Sequence, residues 1–526
     1  MVFGEPAARS VEMLQQISKR AEDLTPQEQA ESFVAIRRID GALKNRDSRI
    51  IFGRRGTGKT HILSYVRSHA KNNGDIPCYI DLRTLGSNNS IYSDQNKPPQ
   101  ERATILLRDL LADIHDKLMD EYTAPNSKLP RAFGEKLESL QQCVKTVIVT
   151  ESVEEKKTKA ASEAVGGAAS ISTEVTPTKA SLQAKVDGTS SSGSATGSEV
   201  VSRGFPKLSV NMGDTNKALR EITVAAGKRI WILLDEWSSL PKVLQPFLAD
   251  FIRRAFLPVQ QITVQIAAIE FRSTFRVDFE DSRVGLELGS DISADINLDD
   301  YFVYDSNATT ATEFFKSLLF NHLSAFAGSR GLVESDGNAV LGAIFSQERV
   351  FSELVRASEG VARDFINILQ LAAMRSDESK LSMNEIRSAA KDWFERDKQR
   401  NLDTNVRARA MLDWIRDTVI EGRKARAFLL EINSADPEIE FLFDERLLHI
   451  ARQSYSAQDE PGVRYRVWKV DFGCYVDLIN TAKNPDGFLG DGIVVADGGD
   501  IEVPEDDYRA VRRAILDIQR FNADYQ

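Results

Sequence analysis

The chain has 526 residues with 42% hydrophobic and 28% charged content, enough for roughly two to four domains with sizeable cores, which excludes wholesale disorder. A net charge of −11 excludes a strongly basic, DNA-coating protein, although a summed charge hides local basic patches. No apolar run reaches the ~18 residues of a membrane span, Met1 to Glu5 lacks the charged and apolar regions of a secretory signal, and Cys78, Cys143 and Cys474 form no C-x-x-C pair. The expectation is therefore a cytoplasmic protein with reduced thiols and no transmembrane segment.

In chain order, residues 8–45 read as helical, with Val11, Leu14, Ile17 and Ala21 forming an apolar face at 3/4 spacing, and Ser32 to Asp40 continues the pattern. Arg49 to Phe52 reads as a buried strand. The run Gly53-Arg54-Arg55-Gly56-Thr57-Gly58-Lys59-Thr60 follows it and fits G-x-x-x-x-G-K-[ST], with a helix predicted from His61 to Arg67. Glycines let backbone N–H groups turn inward on phosphates, and a helix N-terminus adds partial positive charge. Lys59 is expected to reach the β- and γ-phosphates and Thr60 to hold Mg²⁺; residues Gly53 to Thr60, with His61, form the predicted nucleotide-binding set. A second core strand is predicted at Ile76 to Leu82 and a long helix from Pro99 to Tyr122.

Composition changes near residue 150. Glu151 to Gly204 is rich in Ser, Thr, Ala, Gly and Lys and lacks aromatic residues, so it reads as a flexible insertion. A competing reading is a long β-arm for a partner or a membrane surface, from the alternation at Val147/Val149 and at Ala180, Leu182, Ala184 and Val186, with Gly166-Gly167 as hairpin tip. Asp214 is the expected N-cap of a helix through Ala226. Strands follow at Ile230 to Leu234 and Ile262 to Ile269, with a helix from Val243 to Phe256 between them. Strands alternating with helices, nearly continuous in apolar residues, imply an α/β fold whose parallel sheet is covered on both faces. Residues 310–402 read as helical. The C-terminal part mixes helices with a strand at Arg464 to Val470.

Leu233-Leu234-Asp235-Glu236 is the second motif with chemistry. A strand end carrying two acids suits Mg²⁺ anchored at Asp235 and a water polarised by Glu236 as general base. The acidic pair points to hydrolysis as well as binding. ATP is preferred over GTP, because Asn96-Lys97-Pro98-Pro99 starts an N-K-x-D motif but lacks its Asp. Arginines that could neutralise γ-phosphate charge are Arg272, Arg276, Arg283 (in Asp-Ser-Arg-Val-Gly) and Arg363 (in Gly-Val-Ala-Arg-Asp). The five histidines show no metal spacing, and Trp237 reads as packing.

The order of these parts resembles the initiator-type AAA+ ATPases, specifically bacterial relatives of the origin-recognition ATPases, over roughly residues 30–400. The resemblance implies a P-loop AAA+ domain over 1–305, a helical lid over 306–402 and a winged-helix-like domain over 403–526. It also implies that Arg283 is an arginine finger acting on ATP held by a neighbouring copy in a homo-oligomer, and that Arg363 is the lid arginine touching the γ-phosphate. The position following the 262–269 strand usually carries Asn, Thr or Ser in this family; here it falls near Glu270, with Arg272 or Ser273 as substitutes. For the winged-helix part a helix is expected over Leu442 to Ile450 and a β-wing at Gly462 to Lys469. That wing could set Arg464, Arg466 and Lys469 on the phosphates of double-stranded DNA. Acidic residues on both sides of the wing leave a protein partner, bound through this domain or the insertion, as the alternative.

Overall fold

Five short apolar strands build the main sheet: β1 (Arg49–Phe52), β2 (Ile76–Asp81), β3 (Ile230–Asp235), β4 (Ile262–Ala268) and β5 (Ser293–Asn297). The computed structural model describes residues 11–85 (except 12), 98–150, 204–327 (except 281, 303 and 305–307), 336–432 (except 377, 378 and 424), 434, 436–456, 462–478 and 515–525. The spatial order is β2-β3-β4-β1-β5, and every neighbouring pair is parallel. The chain thus leaves β1, passes two strand positions to reach β2, and later fills the gap with β3 and β4.

Alternate residues of each strand serve opposite faces. Ile51, Trp231, Leu233 and Ala267 pack with Ile39 and Leu43 of α2 (Arg37–Lys44) and with Leu63 and Val66 of α3 (Lys59–Asn72). Ile50, Ile80, Ile232, Leu234 and Ile266 pack on the other face. Their partners there lie in α4 (Pro99–Thr123), α5 (Arg131–Gln141), α6 (Met212–Ala226) and α7 (Gln245–Phe251). Both faces are dry, which is why the strands read as unbroken apolar runs. The fold is the α/β P-loop arrangement that the sequence predicts.

Behind the sheet domain come α8 (Ala308–Ala327), α9 (Gly337–Ile344), α10 (Glu348–Ala357), α11 (Ala362–Arg375) and α12 (Met383–Trp393). Then follow α13 (Val406–Ile415), β6 (Ala427–Glu431), α14 (Pro437–Asp444), β7 (Leu448–Ser456) and β8 (Arg464–Val470). The last three strands form an antiparallel sheet in the order β6-β8-β7. One apolar core runs through all of these helices and that sheet, from Leu14 and Phe315 through Phe365 and Phe394 to Phe443 and Trp468. Among the described residues no helix is long and apolar enough to cross a membrane.

Three expectations are corrected. The N-terminal region is not continuously helical: α1 (Pro26–Ser32) starts at a Thr25–Glu28 capping box, and Phe33 to Ile36 is extended, with the Phe33 ring stacked 4.1 Å from Tyr65. Asn211, not Asp214, caps α6, accepting a hydrogen bond from the Asp214 N–H. The helix expected over 442–450 stops at Asp444, because Arg446 is left-handed (φ 64°) and the Leu447 N–H reaches back to the Leu442 carbonyl; only the three residues Glu445 to Leu447 separate α14 from β7.

Lys145–Ser209 is a separate compact unit. The strands Val144–Thr150 and Gly204–Val210 pair in a two-stranded sheet, in keeping with the Val147/Val149 alternation. The rest of the proposed β-arm, from Gly166-Gly167 to Val186, lies outside the described residues.

Candidate nucleotide site

The loop after β1 is held at its start by the Gly53 N–H, which donates to the Ala268 carbonyl (3.2 Å) at the end of β4. Gly56 and Gly58 adopt φ of 87° and 98°, a region that side-chain-bearing residues avoid, and a Cβ on Gly56 would stand 2.7 Å from the Arg363 Cβ. Gly58 is also the N-cap of α3, so the helix N-terminus opens onto the loop. Lys59 Nζ donates to the carbonyls of Gly53 (2.8 Å) and Arg54 (2.9 Å). Burial lowers the Lys59 pKa against the opposing pull of Glu236, Asp235 and Asp299.

At the end of β3, Asp235 is 1% exposed. It accepts hydrogen bonds from Tyr79 Oη (2.7 Å) and the Glu236 N–H (2.9 Å), and it is hydrogen-bonded to Thr60. Burial raises its pKa, partly offset by these bonds. Glu236 leaves the strand in a left-handed conformation (φ 58°, ψ 38°), which turns its side chain toward the cavity that it lines. Ser239 Oγ donates to it (3.1 Å), and Arg83 lies 4.0 Å away while also pairing with Asp81 (2.6 Å) and Glu22 (3.6 Å).

The start of α11 is joined to the loop directly. The Arg363 N–H donates to the Gly56 carbonyl (3.0 Å). Arg363 Nε is buried with no hydrogen-bond partner among the described residues, and burial lowers the Arg363 pKa. Gly360 (φ 78°) sets the approach, since a Cβ there would meet the Phe302 carbonyl at 2.7 Å. An N-terminal strap also crosses from α11: Gln370 Nε2 donates to the carbonyls of Leu14 (3.1 Å) and Ile17 (2.8 Å), and Ser18 to Glu22 then line the cavity.

The cavity measures about 370 Å³. Its ionic lining is Arg20, Arg55, Lys59, Thr60, Arg83, Glu236 and Arg363. Its apolar lining is Phe33, Val34, Ile36, Phe302, Phe314, Leu318 and Ile366. His61 and His322 also line it, with ring centroids 6.2 Å apart and His61 Nε2 donating to the Gln29 carbonyl (2.6 Å). Burial lowers the pKa of both, pushing His322 down to about 4.

Of the residues expected from sequence, Arg55 to His61, Glu236 and Arg363 line this one cavity, and Asp235 sits against Thr60 behind it. Arg54 departs from expectation. Its side chain is 1% exposed and turned to the back of the loop, held by Asp299 (2.7 Å). Arg283 is outside the cavity, 71% exposed on a two-stranded ribbon (Arg276–Asp278 with Arg283–Gly285) and 3.7 Å from Asp278. The residues expected to follow β4 as a phosphate sensor face elsewhere. Glu270 accepts from Asn297 (3.1 Å) and lies 3.8 Å from Arg466, Arg272 pairs with Asp444 (2.5 Å) and Glu445 (3.0 Å), and Ser273 Oγ meets Ser238 Oγ (3.0 Å). Ile269, whose N–H donates to Ser238 Oγ (2.7 Å), lines the cavity instead.

Tyr79, Arg83, the strap and the apolar walls escaped the sequence reading. The signal for Tyr79 and Arg83 was their place at the end of a strand, but it becomes readable only once β2 is known to pair with β3, with Asp81 opposite Asp235. The arrangement suits a polyanion with a flat apolar group at one end. A buried amine, an orphaned guanidinium N–H and a glycine cradle need negative charge, and Thr60 with Asp235 offers two oxygen ligands to a hard cation.

No family model matches the chain, and no curated protein does. Among solved structures it is similar to Cdc6p of Pyrobaculum aerophilum, with 10% identity over 82% of this chain and 86% of that one and a TM-score of 0.31. It is also similar to a Walker-type ATPase, PABY2304, of Pyrococcus abyssi, with 10% identity over 88% and 98% of the two chains and a TM-score of 0.34. Both sources are archaeal, so the bacterial side of the sequence resemblance has no support there. Likenesses this distant say nothing about activity.

Proposed function

We propose that the chain binds and hydrolyses ATP with Mg²⁺ and works as a nucleotide-driven switch. The observation that carries this reading is the convergence of Lys59, Thr60, Glu236 and Arg363 on a single cavity that also has apolar walls. Adenine is favoured over guanine. The cavity's carboxylates among the described residues, Glu22 and Glu236, both stand beside Arg83, so none is left over to pair a guanine edge. Thr60 and Asp235 would hold Mg²⁺, whose contribution is charge neutralisation at phosphate oxygens. Lys59 and Arg363 bind the γ-phosphate oxygens, and Glu236 takes a proton from the water that attacks γ-phosphorus as the bond to the bridging oxygen breaks, giving ADP and phosphate. Arg283, exposed and outside its own cavity, is assigned to a neighbouring copy's ATP in a homo-oligomer.

Glu236→Gln tests the reading. Phosphate release should fall at least about 100-fold while ATP still binds; unchanged release overturns hydrolysis.

For the partner, a protein is the better reading than DNA. Lys469 is 1% exposed and bonded to Glu359 (2.8 Å), and Arg466 is half-buried beside Glu270 and over the Phe271 ring, so of the expected basic triad only Arg464 is exposed. The three residues between α14 and β7 leave no room for a second helix to enter a major groove. Retention of duplex DNA that weakens steeply with salt would reverse this choice.

A further inference from the structure

Arg54 stands in the loop that should hold phosphate, yet every contact of its side chain lies behind that loop. The Asp299 carboxylate grips it twice, accepting from the Arg54 backbone N–H (2.9 Å) and from Nε (2.7 Å). Nη2 donates to the Glu359 carbonyl (3.4 Å), at the entry to α11. Nη1 donates to the Leu448 carbonyl (3.5 Å) and to His449 Nδ1, both on β7. The guanidinium also lies over the Phe443 ring, 5.0 Å from its centroid.

The roles on His449 follow from its partners. Guanidinium cannot accept, so Nδ1 is the acceptor and carries no proton; Nε2–H then donates to Asp471 Oδ2 (2.9 Å). Burial and the neighbouring Arg54 cation hold the ring neutral, consistent with that tautomer. Asp471 continues to Lys398 (2.5 Å), and Lys398 to Asp364 (3.0 Å), the residue next to Arg363. Both walls of the phosphate end, the loop through Arg54 and the lid through Asp364, are thus fastened to one buried polar chain that runs through the β7 histidine.

Lys59 closes on the carbonyls of Gly53 and Arg54, so the Arg54 backbone is the part of the loop on which the amine rests. A displacement of that backbone moves the amine with it.

We propose that His449 is a positioning residue of the phosphate loop: acting through the Arg54 guanidinium it fixes the loop's first turn, so that the C-terminal sheet and the phosphate site respond to nucleotide as one unit. Nucleotide taken up at the loop therefore tightens β7, and a partner that pulls on β7 loosens the loop, because such coupling is reciprocal.

The test compares His449→Leu, which removes both hydrogen bonds, with His449→Asn, whose Oδ1 can still accept from Arg54. Val467→Ala serves as control, being fully buried in the same sheet but on a small separate cluster. Amide exchange over Gly53 to Lys59 is measured without nucleotide, and ADP affinity is measured in parallel. His449→Leu should speed loop exchange and weaken ADP by about tenfold each, His449→Asn should recover most of both, and Val467→Ala should move neither. Loop exchange in His449→Leu equal to wild type, or matched by Val467→Ala, overturns the proposal. Should His449→Leu not fold, the wild-type chain decides, since ADP must slow exchange across Leu448 to Ser456 and a failure to do so overturns it. The affinity arm rests on the nucleotide-site reading, whereas the nucleotide-free exchange arm does not, so a chain that binds no ADP refutes that reading and leaves the loop measurement standing.

Discussion

Asp235 and Glu236 are neighbours in sequence and opposites in environment. Asp235 ends a strand and is sealed beneath the cavity, while Glu236 takes a left-handed backbone, a conformation that costs a side-chain-bearing residue about 1 kcal/mol or more, to reach the cavity beside Arg83. The pair was legible in sequence because apolar residues followed by two acids is a local pattern. Tyr79 and Arg83 were not legible, because their claim on the pair depends on which strand lies beside β3. Arg54 misled for a related reason: membership in the loop motif fixes where its backbone goes, and tertiary partners far along the chain decide where its side chain goes.

His322 supports a pH prediction at this scale. Its folded pKa of about 4 lies below the ordinary 6.5 because burial excludes the charged ring. Between those values the unfolded chain takes up a proton that the folded chain refuses, so this contribution to stability is complete above pH 6.5 and is lost as pH falls toward 4. Urea-unfolding midpoints of wild type should therefore decline over this window, and those of His322→Phe should decline less. Parallel declines would contradict the assignment.

Among elements, strand, loop and helix around Gly53 to Thr60 were readable because glycine spacing and strand apolarity are both local. The end of α14 was not, because its left-handed position is filled by Arg446 where a glycine would have announced the stop. The N-terminal strap was legible only in part. Val11 and Leu14 lie in helical backbone, as their spacing predicts, but the helix ends at Leu14, and beyond it the chain is held by Ile17 packing into the same apolar core as α11 and by Gln370, which donates to the carbonyls of Leu14 and Ile17. Gln370→Leu would take the side-chain donor from the Ile17 carbonyl and leave the Leu14 carbonyl only the long bond from the Ile17 N–H (3.4 Å), at a cost of about 1–3 kcal/mol. The expected result is faster tryptic cleavage after Lys19 and Arg20 together with weaker nucleotide binding. Cleavage at the wild-type rate would show that the strap is held by its apolar contacts alone.

Across the whole molecule, Lys145–Ser209 is a compact unit of its own. The Asn211 N–H donates to the Cys143 carbonyl (3.3 Å), so the chain ends flanking that unit are already tied together. Replacing residues 145–209 with a short Gly-Ser loop should leave the melting temperature within about 2 °C and nucleotide affinity within about twofold. A large loss of either would mean that the unit supports the nucleotide fold.

The buried bond between Arg54 and His449 joins residues 395 positions apart. At synthesis rates of about 5–20 residues per second, that span takes roughly 20–80 s to make. For that interval the nascent sheet domain carries its phosphate loop without the partner that braces it, and Arg54 lacks its cover. The loop is therefore braced only after β7 has been made, and a chain cut short before β7 should hold nucleotide less tightly than one that includes it.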